Sequence, residues 1–64
     1  MRELASEEVR VLQELALGKS TKEISNLLSC SEPTTKRLIQ RVRDQLEAKN
    51  RTHAVYIAAK RGLI

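Results

Sequence analysis

The stretch from Ser20 to Leu46 reads STKEISNLLSCSEPTTKRLIQRVRDQL and contains two consecutive helix signals. Ser20 and Glu23 form an S-x-x-E capping box, in which each side chain accepts a hydrogen bond from a backbone amide that the helix leaves free. This box predicts a short helix over about residues 21–28. Its apolar side chains are expected to face the core: Ile24, Leu27 and Leu28.

Another helix, the third along the chain, is predicted over about residues 32–46, after a break of three residues. Ser31 is a good N-cap, and Pro33 lies in the first turn, where the missing N–H of proline costs little. Side chains at helical spacing form one apolar stripe: Thr35, Ile39, Val42 and Leu46. The opposite side of this helix is basic and polar: Lys36, Arg37, Gln40 and Arg41. The two helices together fit a helix-turn-helix.

Two further helices flank this pair. The first is predicted over about residues 6–17, and its apolar positions at helical spacing are Val11, Leu12, Leu15 and Ala16. The fourth is predicted over about residues 51–61, with Asn50 as its cap and Gly62 as its stop. Small apolar residues of this helix are expected to pack on the domain: Ala54, Val55 and Ala58. Two glycines and one proline are few for the turns of an all-β fold, so we expect an all-α fold of four helices.

Length and composition exclude several classes of protein. A chain of 64 residues, 41% of them hydrophobic and 31% charged, predicts one domain over residues 1–64 with a single core. The longest apolar run has six residues, far below the ~20 that span a bilayer, and the charged segment after Met1 is unlike a signal peptide. One cysteine and one histidine provide no disulfide, metal cluster or catalytic pair, so we expect no cofactor and no enzymatic activity. A reducing cytoplasm fits this composition.

The charge is distributed unevenly along the chain. Residues 1–32 carry four basic and six acidic side chains, whereas residues 33–64 carry eight basic and two acidic ones. This asymmetry favours a polyanionic partner for the second half, although a solvated helix face is the alternative. The major groove of B-DNA is ~12 Å wide and admits one α-helix that is apolar behind and polar in front. Double-stranded DNA is therefore the predicted partner.

The predicted contacts fall into two groups. Side chains with several hydrogen-bond donors on the outer face of the third helix are expected to read base edges: Lys36, Arg37 and Gln40. Residues at the start of the second and third helices, with one arginine, are expected to hold phosphates: Ser20, Thr21, Lys22, Thr34 and Arg41.

Motifs along nearly the whole chain resemble the LuxR/GerE family of bacterial DNA-binding domains. They are LASEEVRVL over residues 4–12, GKSTKEI over 18–24, SEPTTK over 31–36, NRTHAV over 50–55 and RGLI over 61–64. The resemblance implies a four-helix domain whose third helix reads the major groove and whose fourth helix mediates dimer contact. It also implies a bacterial, nucleoid-associated protein. Full-length members usually carry this domain at the C-terminus, after a regulatory domain that is absent from this sequence.

The chain departs from the family at several positions. Ala5 stands where the family usually has a capping threonine, Thr35 where it has valine, and Leu38 where it has histidine. We expect the changes at 35 and 38 to repack the stripe. Residues 45–47 read QLE where the family usually has KLG, which removes one expected backbone contact and the glycine that ends the third helix sharply.

The fourth helix is expected to form a weak homodimer on DNA. Its helical period leaves three side chains on or near the outer side: His53, Tyr56 and Ile57. Two alternatives stay open. A promoter-reading domain of a sigma factor has a similar helix-turn-helix but does not need the fourth helix. A short interaction module would instead pair with a full-length regulator through that helix and never bind DNA alone.

Two other residues carry weaker signals. Cys30 is expected to be a reduced, largely buried thiol that packs as a small hydrophobe, because no second cysteine is present. Arg43 lies at the edge of the apolar stripe, where Glu47 is a candidate ion-pair partner one turn later.

Overall fold

The computed structural model describes residues 4–64 and contains four helices and no strand in that range. They are α1 (Ser6–Ala16), α2 (Thr21–Leu28), α3 (Glu32–Leu46) and α4 (Arg51–Lys60). The all-α prediction is confirmed, and each helix ends within one residue of its predicted bounds. The expectation of no signal peptide after Met1 concerns residues that lie partly outside the described range.

Caps explain why the helices begin where they do. The Ser20 hydroxyl accepts from the Glu23 amide at 3.2 Å, and the Glu23 carboxylate accepts from the Ser20 amide at 2.8 Å, which completes the predicted capping box. Ser31 caps α3 through the Thr34 amide. In the same way Asn50 caps α4 through the amide of His53, at 2.8 Å.

Helix α3 ends at Leu46 although the glycine usual in the family is missing. Glu47 adopts the left-handed conformation at φ 55°, and the Ala48 amide donates to the Arg43 carbonyl at 2.8 Å. This is the hydrogen bond of a Schellman end. The sharp end of α3 is therefore kept, at the energetic cost of a left-handed residue with a side chain.

Helix α3 lies at the centre of the fold and packs against α1, α2 and α4. One buried cluster joins α1, α3 and α4: Leu12, Val42, Leu46, Ala54 and Ala58. A second joins α1, α2 and α3: Val11, Ile24, Leu38 and Ile39. All four residues of the predicted α3 stripe are buried. The two buried alanines allow the backbones of α1 and α4 to approach closely.

One core prediction is wrong, and one residue of the apolar face predicted for the first helix is not buried. Leu27 is 47% exposed, and Ala16 is exposed as well. Helix α2 buries the face centred on Ile24 and Ser25, and Leu27 lies about 100° away from the centre of that face. Ala16 is similarly offset from the buried face of α1, which is centred on Val11 and Leu12.

A buried hydroxyl pair joins the two helices of the helix-turn-helix. The Ser25 hydroxyl lies 2.8 Å from the Thr35 hydroxyl and 2.8 Å from the Thr21 carbonyl. The Thr35 hydroxyl also lies 3.1 Å from the Ser31 carbonyl. Both side chains are almost fully buried, so these contacts satisfy groups that would otherwise be costly to bury. Thr35, at the position where the family usually has valine, therefore adds a polar link to the otherwise aliphatic contact between α2 and α3.

Candidate nucleic-acid interface

The outer face of α3 carries the side chains predicted to read and hold DNA. Lys36, Arg37, Gln40 and Arg41 are all exposed, whereas the opposite face is buried. The helix therefore has the division that a groove-reading helix needs, apolar towards its own domain and rich in donors towards solvent.

Gln40 is held by two neighbours on the same helix. Its amide nitrogen Nε2 donates to Oδ1 of Asp44 at 2.9 Å, and its Oε1 accepts from Nη1 of Arg43 at 3.2 Å. Arg43 also donates through Nη2 to the carbonyl of Lys49 at 3.1 Å, in the loop between α3 and α4. The candidate pairing of Arg43 with Glu47 is absent, because Glu47 lies beyond the helix end in the left-handed conformation.

Arg41 faces a buried carboxylate on α1. Nε of Arg41 lies 3.8 Å from Oε2 of Glu8, while the Arg41 side chain is 65% exposed. Glu8 is only 3% exposed, and its Oε1 accepts from the amide of Ala5 at 2.9 Å. Glu8 thus joins the start of α1 to the outer face of α3. The sequence did not predict this contact.

The other predicted phosphate contacts lie at the starts of α2 and α3. Ser20, Lys22 and the backbone amides of the first turn lie at the exposed end of α2. Thr34, at the start of α3, accepts through its hydroxyl from that of Ser31 at 2.9 Å. Helix N-termini of this kind favour anions, because their free amides and dipole carry positive charge.

Arg51 lies beside the start of α2, and the sequence did not predict it as a residue of the site. Its Nη1 donates to the Thr21 hydroxyl at 3.2 Å, across 30 positions of the chain. The start of α4 therefore lies beside the start of α2, and a groove of about 460 Å³ between them is lined by Lys19, Ser20 and Arg51, among others. The sequence signal that could have identified Arg51 is its place in the NRTHAV motif over residues 50–55.

Glu23 is an acidic residue in the first turn of α2. Hydrogen bonds from the Ser20 amide and hydroxyl, with a smaller contribution from nearby Lys19, lower its pKa from the ordinary value of 4.5. Glu23 is therefore ionised at neutral pH and fully engaged in capping.

The residues predicted for dimer contact lie on α4 with unequal exposure. Tyr56 is 59% exposed, whereas His53 and Ile57 are half-buried. The rings of His53 and Tyr56 stack with centroids 6.5 Å apart, and Nζ of Lys60 lies 5.8 Å from the Tyr56 ring centroid. Nδ1 of His53 accepts from the Lys49 amide, and Ile57 packs against the Leu12 cluster. Tyr56 therefore provides most of the outward apolar surface.

Three further observations concern chemistry other than DNA binding. Cys30 is half-buried, less than expected, and its thiol donates to the Leu28 carbonyl at 3.4 Å. Within residues 4–64 no group of His, Cys, Asp and Glu side chains is placed to hold a metal ion. None of the helices in that range has the length and apolar content to cross a membrane.

Comparison with known proteins gives consistent matches. Residues 2–58 match the family described as bacterial regulatory proteins, luxR family. The chain is 41% identical over 61 residues to the uncharacterized transcriptional regulatory protein YvfU of Bacillus subtilis (strain 168). That match covers 95% of this chain and 30% of YvfU. For YxjL of the same organism, another uncharacterized transcriptional regulatory protein, the identity is 35%, over 89% of this chain and 26% of YxjL.

Two solved structures share the fold. The transcription factor GerE superposes with a TM-score of 0.91 at 30% identity, over 97% of this chain and 94% of GerE. The response regulator ChrA of a heme-sensing two-component system superposes with a TM-score of 0.94 at 31% identity. That superposition covers 100% of this chain and 32% of ChrA. The chain therefore spans about a third or less of YvfU, YxjL and ChrA.

Proposed function

This chain belongs to the luxR family of bacterial regulatory proteins, and from that premise we propose that α3 enters the DNA major groove while α4 pairs two copies on the DNA. The chain is a helix-turn-helix DNA-binding domain of transcriptional regulation. We propose further that residues 1–64 form one such domain. The family consists of DNA-binding regulators, which argues against an enzymatic role.

One observation carries the proposal for α3. Its four donor-rich side chains are exposed on one face, and the stripe behind them is buried against three other helices. Only the exposed face is free to contact a groove. Lys36, Arg37 and Gln40 are the proposed base contacts. The proposed phosphate contacts surround them at the helix starts and on α3: Ser20, Thr21, Lys22, Thr34 and Arg41.

Substitution to alanine separates the two kinds of contact. Arg37→Ala or Gln40→Ala should cost about 1–3 kcal/mol on the preferred site and relax preference at one base position. Lys22→Ala or Arg41→Ala should weaken binding to all sequences alike and reduce the salt slope by about one unit. Arg10→Ala is the matched control, because Arg10 lies on α1 and pairs with Glu14.

Sites selected from random DNA give the reference sequence for these measurements. If Arg37→Ala and Gln40→Ala leave both affinity and preference unchanged, α3 does not read the groove as proposed. If the native chain selects no DNA at all but still pairs with a full-length regulator, the interaction-module alternative gains support.

The proposal for α4 rests on Tyr56, whose exposed ring stacks on half-buried His53, with half-buried Ile57 next to it in the sequence. This patch is small, and specific interfaces usually bury more than about 1,000 Å². We therefore propose a monomer or weak dimer in solution that pairs when two half-sites bring the chains together. A two-fold dimer requires inverted half-sites about one helical turn apart, roughly 10 bp from centre to centre.

Tyr56→Glu tests this pairing. Cooperative binding to a paired site should be lost, whereas binding to a single half-site should persist. Gln13→Glu introduces the same charge at an exposed position of α1 and serves as the control. Unchanged affinity for the paired site would place the dimer contact elsewhere.

The longer relatives suggest the context in which the domain acts. Because the chain covers 26–32% of YvfU, YxjL and ChrA, and ChrA is a response regulator, we propose that this domain is the DNA-binding output of a regulator with a separate regulatory domain. Its place of action would be the nucleoid in the bacterial cytoplasm. Phosphorylation-dependent DNA binding of the full-length protein, compared with constitutive binding by residues 1–64, would test this arrangement.

A further inference from the structure

We propose that Arg43 and Asp44 hold the amide of Gln40 in one orientation and thereby make Gln40 select adenine. This inference deepens the proposed function and rests on the insertion of α3 into the major groove. Arg43 and Asp44 act as positioning residues, because they contact the reading side chain and not the base.

The chemistry of the two neighbours fixes which end of the amide is oxygen. An ionised Asp44 carboxylate only accepts hydrogen bonds, and the Arg43 guanidinium only donates them. The 2.9 Å contact to Asp44 must therefore involve the amide nitrogen, and the 3.2 Å contact to Arg43 must involve the amide oxygen. A flipped amide would place its NH2 group against Arg43 and its oxygen against Asp44, and both contacts would become repulsive.

Arg43 is itself held in place. Its Nη2 donates to the Lys49 carbonyl at 3.1 Å, and its Nε is buried with no hydrogen-bond partner in the described part of the chain. The guanidinium is thus tied to the loop between α3 and α4 and is partly withdrawn from solvent. An arginine that is hydrogen-bonded to a backbone carbonyl is a firmer support for Gln40 than a freely moving surface arginine.

The held amide keeps the groups that adenine requires. An amide NH2 has two donors and an amide oxygen has two acceptor sites, so one of each remains after the contacts with Asp44 and Arg43. One free donor and one free acceptor are the groups that pair with N7 and the N6 amino group of adenine in the major groove. Guanine offers two acceptors at this edge, so it lacks the partner for the amide oxygen.

The size of the effect follows from the order that the two neighbours impose. Fixing one long side chain on binding costs about 0.5–1.5 kcal/mol, which corresponds to about 2- to 10-fold in affinity. In the native domain the Gln40 side chain is already ordered before DNA binds, so it loses little further entropy on binding. Only a site with the matching base needs the ordered amide, so loss of the support should reduce adenine preference by about 2- to 10-fold.

Base preference at each operator position is the measurement, made on the intact domain with a set of otherwise identical duplexes that vary one base pair. Gln40→Ala identifies the position that Gln40 reads. Asp44→Ala and Arg43→Met should then reduce adenine preference at that same position and leave the other positions unchanged. Asp44→Ala also removes a negative charge, so it should raise affinity for every duplex. Glu47→Gln removes a charge from the end of the same helix without touching Gln40, and it should raise affinity with preference intact.

A second measurement does not depend on DNA or on the stability of the Arg43 variant. The side-chain NH2 resonances of Gln40 should shift in Asp44→Ala, because one N–H loses its acceptor. Gln45 is the matched control, since its exposed amide makes no hydrogen bond within residues 4–64.

The outcomes separate this inference from the proposed function. If Gln40→Ala removes a base preference that Asp44→Ala and Arg43→Met leave intact, the positioning role is overturned and the groove-reading proposal stands. If the position read by Gln40 favours a base other than adenine, the assignment of the amide orientation to base choice is wrong. If Gln40→Ala changes no preference, both this inference and the assignment of Gln40 as a base contact fail.

Discussion

The empty N-cap of α1 provides a direct test of how the caps stabilise this domain. Ala5 occupies the cap with the extended backbone of a capping residue, φ −68° and ψ 158°, but it has no side-chain acceptor. Half of a capping box is already formed, because the Glu8 carboxylate accepts from the Ala5 amide at 2.9 Å. Ala5→Thr should add the other half, with the threonine hydroxyl accepting from the Glu8 amide.

The expected gain is about 1 kcal/mol in the free energy of unfolding, the usual difference between threonine and alanine at an N-cap. For a domain of this size such a gain corresponds to a rise of about 4–8 °C in Tm. The chain provides the reciprocal experiment at α2, where Ser20→Ala removes an existing cap and should lose a similar amount. The two caps share no partner, so the effects should add in the double variant.

Urea and thermal unfolding followed by far-ultraviolet circular dichroism measure both changes. Ala5→Val is the matched control, because valine has the shape of threonine without its oxygen. A gain in Ala5→Val equal to that in Ala5→Thr would show that packing, and not capping, is responsible. A loss of stability in Ala5→Thr would mean that the first turn of α1 has no room for the capping hydroxyl, and the reasoning would be refuted.

The remaining predictions concern stability at other positions. Folding lowers the pKa of Glu23, so the stabilising effect of its carboxylate should be complete above pH 4.5 and should decline as the pH falls through the lower folded pKa. The difference in Tm between the native domain and Glu23→Gln should therefore shrink in acid. Ser25→Ala and Thr35→Val should each cost about 1 kcal/mol, but the double variant should cost less than their sum, as a double-mutant cycle by urea unfolding would detect. Glu47→Gly should raise the unfolding free energy by about 1 kcal/mol, because glycine relieves the left-handed strain at φ 55°; an unchanged or lower value would show that the strain is already compensated.

Features that depend on neighbouring residues were predictable from the sequence. Ser20, Ser31 and Asn50 act as caps in the structure as predicted, because capping involves only residues within one turn. The stripe of α3 was also predictable, since 3.6-residue periodicity fixes which side chains share a face.

Features that depend on how the helices cross were not predictable. The sequence placed Leu27 in the core, and only the packing angle of α2 decides that Ser25 is buried in its place. The contact between Arg51 and Thr21 spans 30 positions, and no local rule connects them. The base and phosphate contacts themselves stay predictions, because the orientation of α3 on DNA is a property of the complex.

The outer face of α3 combines supported and free side chains, and this difference suggests how it divides specificity from affinity. Gln40 is held by two hydrogen bonds, whereas Lys36 and Arg37 make no hydrogen bond or ion pair within residues 4–64. An ordered side chain loses little entropy on binding but accepts only a matching geometry, so it discriminates between bases. Free basic side chains also attract any duplex through their charge, in addition to the base contacts proposed for them. Gln40 should therefore account for more of the base preference than its one uncharged amide would suggest. Lys36 and Arg37, as proposed base contacts, should also affect preference, and their charge should add a salt dependence that the uncharged Gln40 lacks.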